Sequence, residues 1–477
     1  MSEPLTQEQR GNSALKSGIW YTVSSITVKA ILIITTPIFT RLMSTSEYGI
    51  SATFTTWFTL LSVVCSLNVW YSIGRAKIDF PGKINEFVGS IQLLSFLFTS
   101  VVILIATFNL DEVCKLLELP KPMVVALGLY LLAYPAVQLT QQKYKYVYNY
   151  KGNIAITVYT TLSTVIFSLI GVFALPSQRA LGKSLGAVLS AVFFSIATWI
   201  LLIKRKQVKV NGTYWKYALA ISVPLILNSI SLNILAQSDR IFITKYNGSD
   251  YTGIYSLAYS YAVLINIVLD SINQAWLPWF HDTFNARHYD LIRTNVKPLV
   301  LCGCWFGVGC IAIAPEAIAV LGGEAFQEGI WVVPPITLGI VCSYIFQNYE
   351  HIELHLKKTW YISTGTIFAA VINIILNYIF VPIYGFVAAA YTTLFCYLLL
   401  MVLHHYISRK ILGIHLYKDR YMYLCVLGTA VFGILFMSLY NYCWLIRWGL
   451  IIVLSIAYLM FNKQYIFSIF NKFKNRQ

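Results

Sequence analysis

NILAQSDRIFI, residues 233–243, sets an Asp beside an Arg, behind a Gln and a Ser, at the end of a long apolar run. Either the run has left the membrane there, or the pair acts inside it. Composition frames the choice. Of 477 residues, 58% are hydrophobic and only 11% charged, against roughly 25% charged in a soluble globular protein. Mean hydropathy is +0.67. The chain reads as an integral membrane protein. Its start, MSEPLTQEQRGNSALKSG, is polar and carries acids, so it does not read as a cleaved signal peptide.

A helix crosses the hydrocarbon with about 20 apolar residues. That criterion predicts an all-α protein with about fourteen spans, at 17–40, 50–73, 87–108, 122–142, 154–175, 182–203, 216–239, 253–276, 296–320, 329–349, 360–381, 386–407, 421–440 and 444–461. Connections are short. Lys and Arg then orient the chain. With the N-terminus inside, 26 of them fall on the cytoplasmic side. Only Arg41, Lys115, Lys121, Arg179, Lys183, Arg240, Lys245 and Arg447 fall outside, and Lys29 lies within the first span. Both termini are therefore expected in the cytoplasm. The same bias accounts for most of the +16 net charge. Stretches such as KRKQVK (204–209) read as topology signals that attract anionic lipid, not as a nucleic-acid surface. The Cys are scattered without a C-x-x-C, and His404, His405, His281 and His288 fall in predicted loops without ligand spacing. No metal or cofactor is expected.

The chain repeats itself at a period of about 203 residues, which makes two six-span halves plus two extra C-terminal spans, a transporter plan. TRLMSTSEYGI (40–50) parallels DRIFITKYNGSDYTGIY (239–255). Each has an Arg, a polar turn and then acid-Tyr-(x)-Gly-Ile. ALGKSLGAVLSAVF (180–193) parallels IYGFVAAAYTTLF (383–395), with Gly182 and Gly385 heading helices rich in small residues, which lets backbones approach closely. The expected division is an N-terminal half at 1–210, a C-terminal half at 211–415, and an extra pair of spans with a basic tail at 416–477.

PIFTRLMSTSEYG (37–49), SLNVWYSIGR (66–75), SDRIFITKYNGSDYTGIYSLAYS (238–260), INQAWLPWF (272–280), VLGGEAFQEG (320–329) and NIILNYIFVPIYGFVAAAYTT (373–393) follow one another along essentially the whole chain. In that order and spacing they resemble the polysaccharide (O-antigen and capsule, Wzx-type) flippases of the multidrug/oligosaccharidyl-lipid/polysaccharide exporter superfamily. The resemblance implies two six-helix lobes in a V, with the first, second, seventh and eighth helices lining a central cavity. It implies a bacterial inner-membrane transporter that moves polyprenyl-diphosphate-linked oligosaccharides outward by alternating access. The expected partners are that lipid-linked glycan, membrane lipids, H+ or Na+ as coupling ion, and polysaccharide polymerase or assembly proteins.

Those four spans each carry a polar stripe at about 100° per residue. Thr22, Ser25, Lys29, Thr36 and Thr40 share one face, and Asn68, Ser72 and Arg75 another. Ser222, Ser229, Asn233, Gln237 and Arg240 share a face of the seventh span; Tyr259, Asn266, Asp270, Asn273 and Gln274 share one of the eighth. A stripe facing lipid would leave polar groups in hydrocarbon at several kcal/mol each, so the stripes face protein or water. Lys29 lies about 18 Å deeper than Arg41 at 1.5 Å per residue, where a cation costs at least roughly 2.5–3.5 kcal/mol. The expected substrate contacts are Lys29, Arg41, Arg75, Asn233, Gln237, Arg240 and Asn266. Asp239 and Asp270 are ion-coupling or ion-pair candidates. Arg240 faces a cavity mouth or snorkels at the headgroups, and Lys29 attracts a diphosphate or holds an ion pair; the sequence leaves both alternatives open. Asn373 and Asn377 read as interhelix hydrogen bonds, and Glu316 as interfacial.

A cation-coupled multidrug antiporter is the alternative within the superfamily. A polysaccharide polymerase or ligase is the enzyme alternative. The sequence has no nucleophile–base constellation, phosphate loop or paired catalytic carboxylates, so a non-enzyme is expected.

Overall fold

A computed structural model describes Thr27, Ala30, Ile31 and residues 33–441 and 444–461. All regular structure among these residues is helical. Residues 33–42 form α1. There follow α2 (Thr45–Cys65), α3 (Ile73–Asp79), α4 (Ile84–Phe108), α5 (Leu110–Leu117), α6 (Lys121–Tyr146), α7 (Tyr150–Ala174), α8 (Arg179–Lys204), α9 (Gly212–Gln237), α10 (Asp239–Asn247) and α11 (Ser249–Val263). The rest are α12 (Asn266–Asn285), α13 (Tyr289–Gly322), α14 (Val333–His355), α15 (Thr359–Tyr384), α16 (Phe386–Tyr406), α17 (Asp419–Ser438) and α18 (Trp444–Phe461).

Eleven helices among the described residues are long and apolar enough to span a membrane. Residues Glu324–Trp331 and Val333–His355, bent by 49°, make a twelfth if taken together, and Trp444–Met460 is a shorter apolar helix. The first predicted span lies mostly outside the described residues. The plan of about fourteen spans, each of about 20 residues, is thus the plan of this multi-pass membrane protein. Large apolar side chains such as Leu104, Phe108, Phe173 and Phe395 stand outward, as a lipid solvent permits.

One span differs from expectation. The predicted helix over 50–73 stops at Cys65, because Leu67 and Asn68 both take φ of 52°. Asn68 is locked there: its amide donates to Ser229 Oγ at 2.9 Å, and Trp70 Nε1 donates to its carbonyl at 3.0 Å. Asn68, Ser72 and Arg75 therefore do not form one helical stripe. The eighth span, Ser249–Asn285, runs 37 residues through a turn at Leu264–Ile265 between α11 and α12.

Contacts group the chain into two compact units, Met1–Gly253 and Ile254–Gln477. In the first, α8 packs on α7 and α6; in the second, α16 packs on α15 and α14. The sequence repeat is thus a repeat of packing. Gly182 behaves as its small size suggests: a Cβ there would stand 2.3 Å from Gly171 O, so α7 and α8 touch backbone to backbone. Gly385 serves differently, turning the chain between α15 and α16 with φ of 77°.

Candidate functional site

The chemistry of the first unit gathers at the corner between α1 and α2. Ser44 and Glu47 form a capping box that starts α2. Two helix starts then meet. A Cβ on Gly49 would lie 1.8 Å from Ser249 O, and one on Gly253 would lie 2.1 Å from Thr45 O. These two glycines are the equivalent positions of the sequence repeat. Hydroxyls tie the crossing: Thr45 donates to Asp250 at 2.5 Å, Thr53 and Thr244 share a hydrogen bond of 2.8 Å, and so do Thr244 and Thr252.

Cations surround this corner. Lys183, in the first turn of α8, is half-buried with Nζ 3.7 Å over the Tyr48 ring and 5.5 Å from that of Phe39. Among the described residues no carboxylate lies within ion-pair distance of Lys183. Arg179, one turn earlier, donates to the carbonyl of Leu42, which ends α1. Arg240 is 6% exposed and lies near enough to Tyr48 for its charge to act on the phenol. Its Nη1 donates to Ala236 O at 3.3 Å. The helix of the seventh span breaks at Ser238, so Asp239, fully buried, and Arg240 open the new helix α10.

The other sequence-selected residues fall as follows. Lys29 lies outside the described residues. Arg41 is exposed, with Nη1 donating to Pro37 O at 3.3 Å. Asn233 and Gln237 are half-buried on α9. Arg75 is two-thirds exposed and paired with Asp79 at 3.0 Å. The Tyr217 hydroxyl donates to the same carboxylate at 2.7 Å. That bond and the Arg75 guanidinium hold the Asp79 carboxyl below its ordinary range. Asn266 and Asp270 belong to α12 in the second unit, half-buried and exposed respectively.

In the second unit, Asn373 and Asn377 make the expected interhelix bonds: Asn373 donates to Thr393, Asn377 to Asn373, and Thr392 to Asn377. Glu316 is not merely interfacial. It accepts from Arg447, which is 3% exposed, and from Trp448. The largest departure from expectation is the end of α14, QNYEHIELH (347–355), expected to leave the membrane after residue 349. It is packed among helices. Gln347 accepts from Asn273, which also bonds His351, and His281 meets His355 at 2.9 Å. Glu353 and His404 are fully buried and 2.8 Å apart. His404, His405 and His281 thus lie on α16 and α12 and not in loops. The i, i+3 spacing of Glu350 and Glu353, which puts both on one side of the helix, was a usable signal. So was the position of Lys183 inside the first turn of a span.

A family model described as "Polysaccharide biosynthesis protein" matches residues 14–284, more than half of the chain. The chain belongs to this family. Lsg locus putative protein 1 of Haemophilus influenzae is 31% identical to this polysaccharide biosynthesis protein over 85 residues. That segment is 18% of the chain and 21% of the Haemophilus protein, so the match spans about a fifth of that relative. The lipid II flippase MurJ, in an inward-closed conformation, superposes with a TM-score of 0.68 at 14% identity, over 94% of this chain and all of that one. An inward-facing multidrug resistance MATE family transporter of the MOP superfamily superposes at 0.64 with 12% identity, over 82% and 98%. At such identities the likeness is one of fold. This polysaccharide biosynthesis protein has the fold of MOP superfamily transporters.

Proposed function

We propose that the protein is a flippase for polyprenyl-diphosphate-linked oligosaccharide repeat units, carrying them from the cytoplasmic to the outer face of a bacterial inner membrane. The observation that carries this reading is the conjunction of a polysaccharide biosynthesis family with a transporter fold. The cations around Tyr48 support an anionic cargo. Lys183 and Arg240 raise the local potential where a diphosphate or acidic sugar would arrive, and a Lys binds such a group as a point charge that can also release it. Lys29, Arg41, Asn233, Gln237 and Asn266 are the remaining proposed contacts along the path, and Asp239 and Asp270 the proposed ion partners. Transport proceeds by alternating access, with both termini in the cytoplasm, an orientation the Lys and Arg distribution supports.

Deletion of the gene in its host tests the reading. Completed lipid-linked repeat units are expected to accumulate on the cytoplasmic face while surface polysaccharide disappears. Normal glycans with altered sensitivity to cationic compounds would instead identify a multidrug antiporter. Units that still reach the outer face but remain unpolymerised would identify an enzyme. Lys29→Glu is expected to abolish export with normal membrane levels, and unchanged surface glycan in that strain would defeat the role of Lys29.

A further inference from the structure

The second unit buries an acid, a base and a second acid in one line. Glu353 on α14 and His404 on α16 are both fully buried, with Glu353 Oε1 2.8 Å from His404 Nδ1. The other ring nitrogen, Nε2, points toward Glu350 Oε1 at 3.6 Å, beyond hydrogen-bond range. Glu350 lies one turn before Glu353 and is one-fifth exposed. Neither Nε2 nor Glu353 Oε2 has a hydrogen-bond partner. A buried polar atom without a partner costs about 1–3 kcal/mol, and more when charged. Packing alone does not call for this arrangement. A Glu–His pair needs no third group, and a second carboxylate beside the first adds repulsion in a low dielectric. What the second carboxylate does add is a partly exposed acid facing the free ring nitrogen.

The surroundings isolate the three groups. Phe346 stacks on the His404 ring at 5.5 Å. α15 passes with Gly365, whose absent side chain leaves room beside Nε2. The neighbouring titratable groups are engaged elsewhere. His405 meets Asp419 at 3.2 Å and bonds Tyr423 at 2.7 Å, Arg409 pairs with Asp419, His351 bonds Asn273, and His355 bonds His281.

We propose that Glu350, His404 and Glu353 form a site that loads and unloads one proton. Throughout, Nδ1–H donates to Glu353, which fixes the tautomer and balances the imidazolium. On loading, Glu350 takes a proton from water, and that proton passes from its oxygen to the lone pair of His404 Nε2. An N–H bond forms, an O–H bond breaks, and the carboxylate is regenerated. Unloading reverses the step. The site carries one negative charge when loaded and two when empty. The 3.6 Å separation is the gate: the transfer requires Nε2 and Glu350 to close to hydrogen-bond distance. That this proton drives transport rests on the flippase reading; the site itself does not.

Solid-state NMR of the 15N-histidine-labelled full chain in lipid bilayers tests it, with His404→Gln assigning the signal. In spectra taken from about pH 5 to 8, neutral His404 is expected to carry its proton on Nδ1, and a second proton is expected at Nε2 when the site is loaded. Glu353→Gln is expected to lower its proton affinity at least tenfold, and Glu350→Gln to slow proton exchange at Nε2 at least tenfold. A His404 that holds one charge state across the range overturns the proposal, as does indifference to both Gln variants. Loss of the flippase reading would show instead as normal glycan distribution in the deletion strain, with the His404 titration intact.

Discussion

Gly49→Ala adds one methyl group where two helix starts meet. Its Cβ would sit 1.8 Å from Ser249 O, and 2.8 Å from both Ser249 C and Gly253 N. Carbon contacts are comfortable at about 3.5–4.0 Å. All three neighbours are backbone atoms, so no side chain can swing aside. The start of α11 would have to withdraw from α2 by about 1.5–2 Å on that contact distance. Withdrawal pulls on the Thr45–Asp250 and Thr53–Thr244 hydrogen bonds. Overpacking of this kind costs about 1–3 kcal/mol or more. Against it stands about 0.5–1 kcal/mol gained by replacing Gly with Ala inside a helix. The expected net is about 1–2 kcal/mol of destabilisation, a factor of roughly 5–30 in the folded population. Gly309→Ala is the control, because its Cβ meets nothing within 4 Å; it keeps the helical gain without the clash. Thermal melting of the purified full chain is expected to rank Gly309→Ala at or above wild type and Gly49→Ala below both. Gly253→Ala should behave like Gly49→Ala, and the double variant should cost less than the two together, since one crossing is already opened. A Gly49→Ala protein that melts with Gly309→Ala would refute the backbone contact.

Four further outcomes are expected. Tyr48→Phe keeps the ring beneath Lys183 and should retain export, whereas Tyr48→Leu loses a cation–π contact of about 0.5–2 kcal/mol and should reduce it, measured as surface glycan at equal membrane levels. Arg447→Met strands the Glu316 carboxylate; because that side chain is 35% exposed, the melting loss should stay below about 3 kcal/mol, under the value for a fully buried pair. Asp79→Asn should flatten the acid side of the stability curve. The Asp79 carboxyl is held low by Tyr217 and Arg75, so its contribution is complete at neutral pH and lost as pH falls through the lowered pKa, a loss the variant cannot show. Asn377→Leu removes the acceptor of the Thr392 hydroxyl and the donor to Asn373, and should cost about 0.6–2 kcal/mol in melting, the range for interhelix bonds in membranes.

Spans were legible because hydropathy accumulates over about 20 residues and tolerates local error. The helix from Ile84 to Phe108 and that from Thr359 to Tyr384 sit within a few residues of their apolar runs. The break after Cys65 was not legible. Leu67 and Asn68 carry no glycine signal, and their left-handed backbone is held by bonds to Ser229 and Trp70, one of them 161 residues away. Polar stripes could be counted along a helix, but not what each stripe meets. Ser229 faces Asn68, and Arg75 faces Asp79. The end of α14 shows the reverse error. Hydropathy falls at Gln347, which reads as an exit, yet Glu353 is buried because α16 covers it and sets His404 against its carboxylate.

The pair at Asp239 and Arg240 returns with its alternatives reduced. Both side chains are buried in the first unit, so the apolar run has not released them to water. A new helix, α10, begins after Ser238 and holds them within protein. Their neighbour Lys183 bears on the anionic cargo proposed above. A carboxylate partner would neutralise Lys183 and compete with an arriving phosphate. An aromatic face stabilises the ammonium through a fixed quadrupole and leaves its net charge in place. The Tyr48 ring at 3.7 Å therefore seats the Lys183 amine without a neutralising acid. The proposed diphosphate cargo would need to displace no acid to reach Lys183.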